Sequence, residues 1–408
     1  MRLFRKTNID FLGLAKPCIT GSLTLMVLSV VLFLTKGFNW GVDFTGGAQV
    51  VYAFSKSPDE NDIRKVVEGA KVPVTSVQRY DKAEKNQVLL RVPMEKKEGR
   101  DVGKEVTTAL TTALFPKGLE AGVFDLNLNG ADALAKKLQD ADPEKMIARS
   151  GVDLKVEYGR IAEAIVKARS SKSLFASVDD AGATPGISPA VRDWLKASTV
   201  AGPFTLISNE SVGPQVGKDL RRKGLWAIVF SWAAMLAYIA LRFRSPSFGT
   251  AAVVALIHDT WITLGLCSLF SVEMSLTVVA ALLTLIGYSV NDTVVVYDRI
   301  RENLQKPKKE PLGPLVSRSI NETLSRTVIT SALTFLVVLA LFFLGGEVLR
   351  PFAFVLLIGI VIGTYSSIYI AAPLVIAWED WRSKRAATSP AAVAPAKGGG
   401  KPAPAKSR

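Results

Sequence analysis

The chain has 408 residues, 49% of them hydrophobic, and a net charge of +14. One histidine and two cysteines exclude a His- or Cys-built metal centre, haem ligation and a disulfide scaffold, so no cofactor is expected. The basic excess does not describe a nucleic-acid binder: residues 37–221 carry 26 Lys and Arg against 25 Asp and Glu, and the surplus flanks the apolar segments instead.

Six apolar runs are long enough to cross a bilayer, which takes ~20 residues as a helix. They lie at roughly 17–35, 223–241, 247–268, 272–297, 327–344 and 352–377. Residues 1–16 form a tail containing Arg2, Arg5, Lys6 and Lys16. The first run, 17–36 with its flank, exceeds a signal-peptide core and lacks a small-x-small cleavage site, so it reads as an uncleaved anchor. Arg242 and Arg244 follow the second run, seven basic residues lie in 298–326, and seven more follow 381. The short connections near 269–274 and 345–351 hold only Arg350. Basic residues collect on the cytoplasmic side. Both termini are therefore expected in the cytoplasm and 37–221 in the periplasm.

Residues 37–221 are expected to form an external α+β domain. It opens with GVDFTGGAQVVYAF, in which Gly46 and Gly47 break the chain before a β-prone run. SPDENDIRKVVEGA reads as a helix capped by Ser57 or Asp59, and VPVTSVQRY and NQVLLRV read as strands. Residues 100–200 change character, with helical patterns in VGKEVTTALTTALF, ADALAKKLQDADPEKMIARS and GRIAEAIVKARS. GPFTLISNESVGP reads as a returning strand. Residues 222–380 hold spans two to six. The segment 381–408, rich in Ala, Pro, Gly and Lys, is expected to be a disordered cytoplasmic tail, either solvated or touching lipid headgroups.

The apolar runs carry groups that lipid does not tolerate cheaply. His258 and Asp259 sit near the middle of span three. Span four carries Thr277, Thr284, Tyr288 and Asn291 on one helical face, with Asp292 bordering it. Span five carries Thr323, Arg326, Thr327, Thr330, Ser331 and Thr334 at three-four spacing. An intramembrane ionisable residue is a functional-site hypothesis by default. Spans four and five are antiparallel, which lets Arg326 reach the Asp292 carboxylate. Burial favours the protonated acid and a guanidinium favours the carboxylate, so a motion that joins and separates the two would bind and release a proton. On spacing alone, Arg326 also reads as an ordinary basic flank, Asp292 as a helix–helix hydrogen-bonding group, and His258 with Asp259 as a buried structural pair. No G-x-x-x-x-G-K-[ST] motif is present, so an ion gradient is the expected energy source and no enzyme activity is expected.

The chain resembles the SecF family of the bacterial Sec protein-translocation machinery. The resemblance is carried by GVDFTGG after span one, ESVGPQVGKDL before span two, LRFRSPSFGTAAVVALIHD across spans two and three, and LTLIGYSVNDTVVVYDRIREN followed by NETLSRTVIT. It implies six transmembrane helices forming half of a twelve-span unit of the resistance–nodulation–division type, with SecD supplying the other half. It implies a ferredoxin-like external domain, here with an apparent helical insertion around 100–200. The implied partners are SecD, the SecYEG channel, the YidC insertase, unfolded preproteins and protons. The implied role is use of the proton-motive force in late preprotein export at the inner membrane. Through GYSVNDT the family's intramembrane acid falls on Asp292, next to Asn291, and through TLSRT its arginine falls on Arg326. His258 and Asp259 match an HD pair of less defined role. Gly41, Asp43, Phe44, Gly46 and Gly47 carry the motif at the start of the external domain. Two other readings stand beside this one. A proton-coupled small-molecule exporter would need the second six-span half that this chain lacks. A structural scaffold of the translocase would tolerate neutralisation of Asp292 and Arg326.

Overall fold

A computed structural model describes residues 7–80, 85–93, 101–116, 123–148, 153–306 and 310–387. Its first long helix, α1 (Ala15–Thr35), is apolar nearly all round, as a segment facing lipid on most sides must be. The chain then forms β1 (Asn39–Trp40), one helical turn α2 (Val42–Thr45) and β2 (Gly47–Phe54). The next element is α3 (Glu60–Gly69), whose start is fixed by Asp59: its carboxylate accepts from the backbone N–H groups of Asn61 and Asp62. β3 (Ser76–Tyr80), β4 (Gln87–Val92) and α4 (Val102–Leu114) follow.

A separate unit is then inserted. It comprises β5 (Phe124–Asp125), α5 (Ala131–Ala141), α6 (Leu154–Lys172), α7 (Val178–Gly182), α8 (Pro189–Ser198) and β6 (Thr199–Val200). Its core of Leu134, Leu138, Tyr158, Ile165, Phe175, Val191 and Leu195 is distinct from that of the sheet. The helical pattern in 131–150 stops early, at Ala141. Asp142 takes a positive φ of 42° ahead of Pro143, and its carboxylate caps the N–H groups of Met146 and Ile147. The chain returns to the sheet as β7 (Phe204–Val212).

Strands β3, β4, β2 and β7 lie in that spatial order, all antiparallel. With α3 and α4 on one face, the chain order β-α-β-β-α-β makes a ferredoxin-like, split β-α-β sandwich. Alternation along the strands sends Val50, Tyr52, Val88 and Leu90 toward Ile63, Val67, Val106 and Leu110 of the helices. The opposite face presents a row of Ser76, Arg91, Gln49 and Glu210 in register.

The remaining chain is the rest of the bundle: α9 (Pro214–Phe243), α10 (Pro246–Leu269), β8 (Glu273–Met274), α11 (Leu276–Leu304), α12 (Leu312–Leu344), α13 (Gly346–Ser366), a π turn (Ser367–Ala371) and α14 (Ala372–Ala387). Among the described residues, six helical segments are long and apolar enough to span a membrane, with α13, the π turn and α14 acting as the last. α10 is central and α1 and α9 are peripheral: most of α10 is buried while the outer two show apolar side chains such as Leu34, Phe230 and Leu241 to the surroundings. α12 begins 15 residues before the apolar run at 327, because its polar first half continues the helix beyond the apolar stretch. Arg326 is therefore inside a long helix rather than at its start. α14 runs to Ala387, so the first residues of the stretch read as a tail are helical. Residues 388–408, and residues 1–6 of the first tail, lie outside the described residues.

Candidate functional site

Two places bring together the residues singled out in the sequence. The first is the junction of sheet and bundle. β1 pairs in parallel with β8, the connection between α10 and α11, and the Gly41 N–H donates to the Met274 carbonyl at 2.9 Å. Asp43 accepts from the Leu276 N–H at 2.8 Å and so satisfies one free donor at the start of α11. Phe44 is buried in the bundle core and meets Trp40 edge to face at 5.8 Å. Gly46 has φ 75° and ψ 143°, and a Cβ there would lie 2.5 Å from Pro214 Cα. Gly217, one turn further on α9, faces the same backbone: its Cβ would lie 2.9 Å from the Gly46 nitrogen. Gly47 leads straight into β2, where a Cβ would press on the Val92 carbonyl at 2.8 Å. The GVDFTGG segment thus welds β2, α9 and the α10–α11 connection together.

The second place lies within the bundle. Asp292 on α11 is 2% exposed. Its Oδ2 accepts from Ser331 Oγ of α12 at 2.9 Å and from Thr364 Oγ1 of α13 at 3.4 Å, and Thr364 also donates to Ser331 at 2.9 Å. Asp259 on α10 is 1% exposed. Its Oδ1 lies 2.9 Å from His258 Nδ1, and its Oδ2 accepts from Ser289 of α11 at 2.6 Å and Ser366 of α13 at 2.8 Å. His258 Nε2 is buried without a hydrogen-bond partner among the described residues. α11 and α13 therefore serve both carboxylates: one gives Asp292 and Ser289, the other Thr364 and Ser366. Their close approach is possible because Gly363 lies against Ser289; a Cβ there would sit 3.1 Å from Ser289 Cβ. The π turn begins directly after Ser366, at Ser367, and such turns widen the backbone ladder where helices do more than pack.

Two of the residues singled out in the sequence stand apart from the buried acid in this structure. Asn291 is exposed, on the side of α11 away from Asp292's partners, because consecutive helical residues diverge by about 100°. Thr284 is exposed with it, whereas Thr277 is half-buried and Tyr288 is half-buried against the bundle core, so the stripe does not share one environment. Arg326 is exposed and forms no direct ion pair with Asp292 among the described residues, although its charge is near enough to be felt there. On α12 the positions that turn inward are Thr323, Thr327 and Ser331, four apart, and Arg326 falls just off that edge. Ser289, Thr364 and Ser366 were not singled out in the sequence. The signal for the last two is the hydroxyl run Thr364-Tyr365-Ser366-Ser367 inside an apolar span.

Six spans, one ferredoxin-like domain inserted between the first two, and a buried acid held by hydroxyls define a multi-pass membrane protein of the transport type. Residues 194–381 match the family model described as protein export membrane protein SecD/SecF, C-terminal, and residues 31–58 match the SecD/SecF GG motif. A protein translocase subunit SecF from Koribacter versatilis is 41% identical over 412 residues, covering 97% of this chain and 98% of the relative. The corresponding subunit from Calditerrivibrio nitroreducens is 36% identical over 93% of this chain and 96% of its own length. A protein translocase subunit SecDF from Thermus thermophilus is 48% identical over 184 residues, 45% of this chain and 25% of that relative. The crystal structure of SecDF, a translocon-associated membrane protein from the same genus and species, superposes with a TM-score of 0.61 at 29% identity. That match takes in 92% of this chain and 39% of the SecDF chain. The chain belongs to the SecF family: it is a SecF-like subunit of the Sec protein translocase and a multi-pass inner-membrane protein.

Proposed function

We propose that this chain, paired with a SecD partner, uses the proton-motive force to promote late stages of preprotein export beside the SecYEG channel and the YidC insertase. In this reading the α+β domain lies in the periplasm and both termini in the cytoplasm. The observation that carries it is Asp292: a carboxyl group buried within the spans whose partners, Ser331 and Thr364, are both neutral hydroxyls. A charge in that position is costly without a cation beside it. Hydroxyls can donate to a carboxylate or accept from a carboxylic acid, so the pocket accommodates both protonation states. Arg326 is the cation whose approach would favour the ionised state and whose withdrawal would favour the protonated one. Asp259 and His258 form a second proton-accepting pair, served by the same two helices.

The driving force is of a suitable size. One charge crossing 100 mV is worth ~2.3 kcal/mol, and each pH unit adds ~1.4 kcal/mol. A few protons per cycle suffice to move a domain. The GVDFTGG junction is where such a motion would pass from α11 to the sheet.

The test is preprotein export in vesicles carrying Asp292→Asn, with and without an uncoupler, after confirming that the complex with SecD forms. The expected result is slow late-stage export that no longer responds to the uncoupler. Export and uncoupler response equal to those of the unmodified protein would refute the coupling role and favour a scaffold.

A further inference from the structure

α9 stands at the edge of the bundle, and its two sides meet different surroundings. Gly217, Gly224 and Ile228 are buried, and a Cβ at Gly224 would touch Val279 of α11 at 3.6 Å. At 100° per residue, the side turned away from these positions carries Arg222, Trp226 and Phe230, four apart, with Lys223 and Ala227 beside them. Those five residues line an open hollow of about 620 Å³ on the outer surface of the helix. Trp226 and Phe230 are 54% and 66% exposed, and their rings lie 5.6 Å apart.

The segment Lys218–Lys223 holds four basic residues and one acid. It lies at the end of α9 that joins the sheet domain, whereas basic flanks collect at the opposite ends of the spans. Internal contacts use little of this charge. Arg221 lies over the Trp40 ring at 5.7 Å. Arg222 reaches Asp219 at 3.6 Å, but both side chains are open to the surroundings, so the pair holds neither firmly. Lys218 and Lys223 have no ion-pair partner among the described residues. Lys36, by contrast, at the domain-side end of α1, donates to the Leu269 carbonyl at 2.6 Å.

We propose that Arg222, Lys223, Trp226 and Phe230 form a binding site for an anionic phospholipid in the leaflet next to the sheet domain. The site lies apart from Asp292 and its partners and is independent of any proton coupling there. Its groups are stacked in the order in which such a lipid presents its parts. Arg222 and Lys223 meet the phosphate, Trp226 sits at the level of the ester groups, and Ala227 and Phe230 receive the start of an acyl chain. From Arg222 to Phe230 the helix rises about 12 Å, enough to cross a polar layer of ~5–8 Å and enter the hydrocarbon. A zwitterionic headgroup brings a cation of its own against the two basic side chains, and an anionic one does not, so charge selects the headgroup. Basic side chains that merely snorkel to the surface would accept any phosphate without preference. A helix of the partner subunit laid on this face would exclude lipid altogether.

The site is read by quenching. The full chain with its SecD partner is placed in vesicles, with Cys18→Ala, Cys267→Ala and a fluorescent label at Ala234→Cys, an exposed position one turn beyond Phe230. Acyl-brominated phosphatidylglycerol and acyl-brominated phosphatidylcholine with the same chains are compared at the same low mole fraction. The expected result is quenching at least about threefold stronger with phosphatidylglycerol, the difference shrinking in high salt. Arg222→Gln with Lys223→Gln should abolish the difference. Lys65→Gln with Lys104→Gln, an equal loss of charge on α3 and α4, should leave it intact. A label at Leu25→Cys, exposed midway along α1, should show no preference. Three results would overturn the site: equal quenching by the two lipids at Ala234→Cys, a preference that survives the Arg222 and Lys223 substitutions, or a label that neither lipid reaches because the partner covers it.

Discussion

Replacing Gly46 by alanine tests whether the sheet–bundle junction is as tightly specified as its geometry implies. Two costs add at this position. The backbone holds φ 75° and ψ 143°, near a region that residues with a Cβ avoid at ~1–3 kcal/mol. The new methyl would also lie 2.5 Å from Pro214 Cα and 2.9 Å from Pro214 N, and α9 backbone cannot swing aside as a flexible side chain can. Overpacking of this kind costs ~1–3 kcal/mol. The two together weaken the junction by about 3 kcal/mol or more, which is roughly a hundredfold or greater rise in local opening. Hydrogen exchange of the β2 amides from Ala48 to Phe54, followed by mass spectrometry, reads that opening directly. Gly37→Ala is the control: its φ of 68° carries the backbone cost, but no atom lies within 4 Å of the added methyl. It should raise exchange by only about tenfold, and only near residue 37. If Gly46→Ala exchanges no faster than Gly37→Ala, the close approach to Pro214 is not what holds the junction.

Ser331→Ala removes a donor to the buried Asp292 carboxyl, a bond worth ~1.5–3 kcal/mol when the acceptor is charged. Uncoupler-sensitive export should fall by about tenfold or more while the complex still assembles, and Ser331→Thr, which keeps a hydroxyl, should restore most of it. Unchanged export in the alanine variant would remove Ser331 from the coupling site. In the inserted unit, burial raises the Asp125 carboxyl above its ordinary value; the backbone N–H groups of Asn127, Gly202 and Leu128 and the Arg169 guanidinium oppose that rise. The folded state then binds this proton more tightly than the unfolded state. This group's contribution to stability is fully present below the ordinary carboxyl range and is lost as pH rises through the raised value. Asp125→Asn keeps an oxygen for the Asn127 and Gly202 N–H groups, so it should flatten the pH dependence of exchange protection in α5 and α6. An unaltered pH slope would show that Asp125 does not set it.

The six spans were legible because lipid imposes a simple demand: long apolar runs with basic flanks on one side. The sandwich was legible in part, through the Asp59 cap and the β-prone runs that became β2, β3 and β4. Asp292 was legible because a carboxylate inside an apolar run is rare. Its surroundings were not, since serine and threonine occur throughout such helices and nothing local marks Ser289, Thr364 or Ser366 as partners of a distant acid. Helical spacing alone also could not decide which side of α11 faces inward. The Thr277, Thr284 and Asn291 face is polar, yet packing against α10 and α13 buries the face carrying Leu285, Ser289 and Asp292 instead.

The inserted unit leaves and rejoins the sheet domain through a single neck. β5 and β6 pair in parallel there, the Asp125 carboxylate receives the Gly202 N–H, and the Asn127 amide binds the Phe175 and Gly202 carbonyls. Its first and last strands are thus neighbours, and its hydrophobic core is its own. Such an arrangement behaves as a graft. The unit could be excised and the gap closed by a few flexible residues while every strand of the host sheet keeps its neighbour. The size of the sheet domain can therefore change between related chains in one step, with the machinery in the membrane untouched.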